Sequence, residues 1–172
     1  MNNQVTNDQE LPLEATLNQF DLSERSRAVS ELADLVQQGK VQLEAGKEAA
    51  NMHCHTFYSF NAYGYSPSGL AWMARKMGLP LLGIVDFDVL DGVDEFLDAC
   101  FLLGVRGSAA LETRVYIPEF SSREINSPGE PGVFYYMGVG FSSSQALGVA
   151  KPILADMRRR AEQRNLAIVE KI

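Results

Sequence analysis

Apolar positions along the chain alternate between helical and extended spacing. Val29, Leu32, Ala33 and Val36 recur at helical intervals behind Asp21 and Ser23, either of which can cap the helix, and Gly39 would end it. Val41 to Glu48 reads as a second short helix or a linker. Asn51–Thr56 is a short run before a loop rich in Gly, Ser and Tyr, Ser59–Tyr65. Ser66-Pro67 then opens a helix, with Ser as cap and Pro in the first turn, running through Leu70, Trp72, Met73 and Met77 to Gly78. Leu81–Val85 is a short apolar run ending in acids, which is the pattern of a buried strand. A helix over about Val93–Leu103 ends at Gly104, and Val105–Leu111 looks like another strand. Strands alternating with helices of ten or more residues predict a parallel sheet with right-handed crossovers.

Beyond these units, Ser121–Gly132 is a polar loop with two prolines and two glycines, and a loop of that length in a compact domain is often functional. Val133–Val139 is read as a strand. Ser143 or Ser144 is expected to cap a last helical region carrying Met157, Ala161, Leu166 and Val169. No internal repeat is present.

Composition narrows the function. With 172 residues, 46% hydrophobic and 22% charged, the chain fits one ordinary globular domain. The 22 acids against 15 bases give a net charge of −7, opposite to the balance of a generic nucleic-acid binder. No stretch approaches a membrane span, and the polar start Met1–Glu10 lacks the apolar region of a signal peptide. Cys54 and Cys100 are too few for a disulfide framework, so reduced thiols in a cytoplasmic protein are expected. Charge is uneven: residues 1–48 hold 9 acids and 4 bases with no Trp or Tyr, and residues 151–172 hold 6 bases and 3 acids. The first stretch reads as a polar helical extension rather than a core-bearing domain. The run Arg158-Arg159-Arg160 reads as a solvated helix face.

The candidate chemistry sits where strands end. His53-Cys54-His55 contains the chain's only two histidines. In a strand, residues i and i+2 share a face, so both imidazoles can enter one space, a geometry suited to a divalent metal. The plainer alternative is two unrelated polar groups at a strand end. Asp86 and Asp88 follow the Leu81–Val85 strand, and Glu112 follows the next one. Acids at the C-terminal ends of parallel strands are where α/β folds place chemistry, although Asp88 and Asp91 also suit a helix-capping role. Three successive strand ends bearing ligand-type residues point to one convergent site.

These residues resemble a known family. Asn51-Met52-His53-Cys54-His55-Thr56-Phe57-Tyr58-Ser59 is similar to the first motif of the PHP (polymerase and histidinol phosphatase) superfamily, usually Asp-Leu-His-x-His-Thr-x-x-Ser. Gly83-Ile84-Val85-Asp86-Phe87-Asp88 resembles its second motif, usually Ile-Thr-Asp-His-Asp-Thr, and Ala110-Leu111-Glu112-Thr113 its third, Gly-x-Glu. The resemblance covers about residues 50–140. It implies a partial or distorted (β/α)7, TIM-like barrel of parallel strands with metals at the strand C-termini, activating a water that attacks phosphorus. Carried over, His53 and His55 bind one metal and Glu112 bridges it to a second, while Asp86 is a ligand or orients one; Asp86 and Glu112 are the expected catalytic carboxylates. The implied cofactor is a divalent cation (Mn, Zn, Fe or Mg), and the implied substrate is a phosphorylated small molecule or nucleotide.

The sequence also departs from the family. Phe87 stands where the second motif has His, and Tyr135 where the strand Val133–Val139 would offer one. With two histidines in all, the later motifs are absent. The expected organisation is therefore a helical extension over 1–48 and the N-terminal portion of a PHP-like domain over 49–172. That portion is either an active metal-dependent phosphoesterase or part of one. The alternative is a non-catalytic domain that binds a partner or small anion.

Overall fold

A computed structural model describes residues 9–59, 63–145 and 148–171. Its elements run α1 (Glu10–Thr16), α2 (Leu22–Gln37), β1 (Ala50–Cys54), α3 (Pro67–Lys76), β2 (Leu81–Phe87), α4 (Val93–Leu103), β3 (Arg106–Tyr116), a 3-10 turn (Pro118–Phe120), β4 (Val133–Val139) and α5 (Ala150–Val169). The strands form one curled sheet in the order β1-β2-β3-β4. β1, β2 and β3 are parallel, and β4 runs antiparallel to β3. The protein is thus α/β, with a half-barrel sheet of mostly parallel strands.

Local chemistry explains the element boundaries. The Asp21 carboxylate accepts from the Ser23 and Glu24 amides at the start of α2, and the Ser66 hydroxyl accepts from Gly69 N at 2.9 Å at the start of α3. Gly104 closes α4 in the left-handed conformation.

Several boundaries differ from the sequence pattern. α1 carried no pattern that distinguished it, and residues 41–48 form no helix. β3 runs five residues past Leu111, because β4 pairs with it from Ala110 to Tyr116. Glu112 is therefore inside a strand rather than after one. The link from β3 to β4 is a loop with a 3-10 turn and no crossover helix, so β4 returns antiparallel. Neither Ser143 nor Ser144 caps α5. Ser144 instead bonds Asp94 through its amide and hydroxyl, and α5 starts at Ala150.

One face of the sheet, carrying Leu82, Ile84, Ala109 and Leu111, packs on α3 and α4 around Trp72, Phe96 and Leu103. The described part of the 1–48 segment joins that same core. Leu17 and Leu32 are fully buried, and Ala28, Val29, Ala33 and Leu35 pack beside them. Arg25 of α2 is completely buried. It makes a bidentate pair with Glu95 of α4 (2.8 and 2.6 Å) and donates to Gln19 O at 2.7 Å. Glu95 also accepts from the Ser68 hydroxyl at 2.8 Å, so one ion pair ties α2, α3 and α4 together.

The other face holds Val85, Phe87, Ala110 and Glu112, and a β-bulge decides what joins it from β1. Ala50 pairs with Leu81 and Asn51 with Leu82, but the next pair is Cys54 with Ile84. Met52 and His53 together oppose Gly83, which is one residue more than a regular ladder allows. Side chains alternate along a strand. A regular β1 would keep His53 and His55 on Asn51's side, the side of the packed core. The bulge moves Cys54 there and turns both histidines to the face of Phe87 and Glu112. Gly83 permits this, since a Cβ on it would lie 2.7 Å from the Met52 carbonyl oxygen and 2.9 Å from its Cα.

Three substitutions test this framework. Gly83→Ala forces backbone to move and should destabilise by about 1–3 kcal/mol in urea unfolding. Gly46→Ala, with open space around it, should change stability by less than about 0.5 kcal/mol. Arg25→Ala leaves the Glu95 carboxylate buried without its partner and should cost about 3–5 kcal/mol.

Candidate metal centre

His53, His55 and Glu112 converge. One donor atom from each lies within 4.8 Å of the others, and they form the single such three-residue group of His, Cys, Asp or Glu among the described residues. His53 Nε2 is 3.3 Å from Glu112 Oε2, and His55 Nε2 is 4.0 Å from the same oxygen. The two imidazoles meet edge-on with centroids 5.1 Å apart. Zinc ligands at about 2.0–2.1 Å in a tetrahedron stand about 3.3 Å from one another. The His53–Glu112 spacing matches that value, and His55 needs to close by several tenths of an ångström. Two imidazoles and a carboxylate are a chemically suitable donor set for a first-row divalent cation.

The surroundings prepare His55 to be a ligand. Its ring stacks on Phe87 with centroids 5.3 Å apart and planes 9° from parallel. Ser59 Oγ is 3.5 Å from its Nδ1, and Phe87 N donates to that same oxygen at 3.2 Å. Nδ1 lies on the Ser59 side of the ring, which leaves Nε2 toward Glu112. Burial lowers the His55 pKa, with the neighbouring His53 adding to this against the opposing pull of Glu112 and a backbone bond to Val85. A neutral imidazole is the form that binds metal. His53 is half-exposed, whereas Glu112 is nearly buried, so the site opens on the His53 side.

Asp86 does not join the three. Strand alternation puts it on the core side, and Phe87, the register partner of Glu112, takes the place facing the histidines. Both Asp86 oxygens are taken by Thr56: Thr56 N donates to Oδ1 and its hydroxyl to Oδ2, each at 2.6 Å. Thr56 follows His55 directly, so Asp86 anchors the end of β1 and thereby positions a donor. Burial pushes the Asp86 pKa up to about 6, against the lowering effect of the Thr56 bonds.

Asp88, at φ +63°, receives Thr113 Oγ1 at 2.7 Å and pairs with Arg164 at 3.3 Å. Its amide donates to the Glu112 carbonyl at 2.9 Å, which ties the β2 loop to β3 at the site. Thr56 and Ser59 had no assigned role in the sequence, although both lie in the Asn51–Ser59 run. Cys54 faces the core side, where the bulge puts it, and its thiol pKa is raised by burial.

No protein-family model matches this chain, and a search of curated proteins finds no match. Nothing in those comparisons identifies a family. Among the described residues no helix is long and apolar enough to cross a membrane.

The pKa of Asp86 gives a signed prediction. An acid whose pKa rises on folding binds its proton more tightly in the folded state, so stability falls as pH rises between the two values. The gap between 3.8 and about 6 is worth about 3 kcal/mol. The stability of the chelator-treated wild type relative to Asp86→Asn should therefore fall by up to that amount from pH 3.5 to pH 7. Above pH 7 the difference should stay flat, as read by denaturant unfolding at each pH.

Proposed function

We propose that this protein is a metal-dependent hydrolase of phosphate esters, of the PHP type that its three sequence motifs resemble, or a portion of such an enzyme. The observation that supports it is the convergence of Glu112 from β3 with His53 and His55 from the end of β1, within 4.8 Å. A divalent cation held there supplies Lewis-acid activation of water and neutralises charge developing on a phosphoryl group. The chain's own residues do the rest. His53 and His55 offer imidazole nitrogens, and Glu112 offers a carboxylate oxygen. Ser59 and Phe87 fix the His55 ring, and Asp86 holds the backbone after it through Thr56. The half-exposed His53 leaves the site reachable by a phosphorylated small molecule or nucleotide. Two imidazole donors favour Zn, Fe or Mn over Mg, which prefers oxygen. Two free cysteines suit a reducing, cytoplasmic setting.

A second reading has its own support. Phe87 and Tyr135 put aromatic rings beside Glu112 where a fuller metal cluster needs donors. This favours a non-catalytic PHP-like domain that binds a small anion or a partner. Phosphate release separates the two readings. Chelator-treated protein is reloaded with Mn, Zn, Fe or Mg and given p-nitrophenyl phosphate and a panel of nucleotides. The hydrolase reading expects metal-stimulated turnover that falls at least about 100-fold in Glu112→Gln and about 10-fold in Ser59→Ala. Loaded protein that binds metal yet releases no phosphate favours the non-catalytic domain.

A further inference from the structure

We propose that the His53, His55 and Glu112 site holds one cation alone, with the place beside it closed to a second metal by the protein's own side chains. This rests on the metal-binding reading above and restricts it.

A second cation sharing the Glu112 carboxylate would lie about 3.5–4 Å from the first and would need donors of its own. The register of the sheet identifies the side chains around Glu112 on its face. Directly across stand Phe87 on β2 and Met137 on β4. Along β3 the neighbours on that face are Ala110 and Arg114, and Arg114 pairs across with Tyr135. None of these five offers a carboxylate or an imidazole. Arg114 instead carries a permanent positive charge two residues from Glu112, about 7 Å along the strand.

Nearby carboxylates are committed elsewhere. Asp86 is on the other face with both oxygens on Thr56. Asp88 is held by Thr113 and Arg164, and Glu130 by Arg114 and Ser127.

The space is also filled. Phe87 is 6% exposed. One face of its ring lies on His55, and it meets the Tyr135 ring at 5.7 Å and 72°. Tyr135 is capped in turn by the Arg114 guanidinium, 5.9 Å from its centroid. This continuous stack, His55–Phe87–Tyr135–Arg114, lies over the ground a second metal would occupy. It also keeps the His55 ring from swinging toward another ion. The donor set for one cation is thus two nitrogens and one carboxylate, with the remaining positions open on the His53 side.

Metal counting tests this. The untagged full chain is stripped with chelator, loaded with excess Zn2+ or Mn2+, dialysed and measured for bound metal. One equivalent per chain is expected, falling below about 0.2 in His53→Ala with the circular dichroism spectrum unchanged. The Mn2+ form should give an electron paramagnetic resonance signal of an isolated ion, without exchange coupling. The double variant Phe87→His/Tyr135→His puts two imidazoles beside Glu112 and should take up a second equivalent. Two equivalents in the wild type, or a coupled Mn2+ pair, would overturn the single-cation proposal while leaving metal binding intact. A double variant that folds and still binds one equivalent would show that these rings are not what closes the second position. No bound metal in the wild type would remove the metal-binding reading itself.

Discussion

The face on which the candidate donors sit depends on one extra residue in β1. Met52 and His53 share a single partner position, Gly83, and the bulge reverses the alternation from that point on. Were the ladder regular, both histidines would lie on the side packed against α3 and α4, away from Glu112. A bulge of this kind requires the neighbouring backbone to come close, and only a residue without a Cβ allows it. The ligand geometry is therefore a property of a pair of strands. The His-x-His spacing is necessary to it but does not produce it.

Around that constraint the rest of the site is braced from the core side. Asp86 and Thr56 form a buried pair behind the histidines, and Ser59 bridges the His55 ring to the Phe87 amide. The bracing extends to the N-terminal helices. Arg25 of α2 lies with its guanidinium 5.0 Å from the Phe57 ring, two residues past His55, while gripping Glu95 of α4. The loop that carries the site is thus wedged against α2. A buried guanidinium is tolerated because carboxylate, carbonyl and ring together replace its hydration. α1 and α2 are part of the scaffold that fixes the site.

The aromatic stack beside Glu112 marks where this protein departs from the motifs it resembles. A phenylalanine flat on an imidazole orients the ring and excludes water, yet it provides no donor. The ring thereby restrains His55 and takes the place across from Glu112. The open direction, on the half-exposed His53 side, is where a ligand can approach.

Much of this was legible in the chain, for local reasons. Ser66-Pro67 and Gly104 marked helix ends because capping and left-handed turns depend on residue type alone, the apolar run Leu81–Val85 marked β2 because burial follows pattern, and weak alternation marked β4. His53, His55 and Glu112 were identifiable as ligand-type residues for the same reason. What the sequence did not determine were the long-range relations. β3 extends past Leu111 only because β4 pairs back along it, α1 is held by packing on α2 and by Glu10 and Glu14 pairing with Lys76 of α3, and the polar-looking 1–48 segment joins the core through a few well-placed leucines. Above all, the sequence marked both Asp86 and Glu112 as candidate ligands. Strand parity, set by the bulge and by register across three strands, sends one to Thr56 and the other to the histidines. Composition and spacing fix which groups exist, but which face each group occupies is decided by pairing between strands distant in sequence.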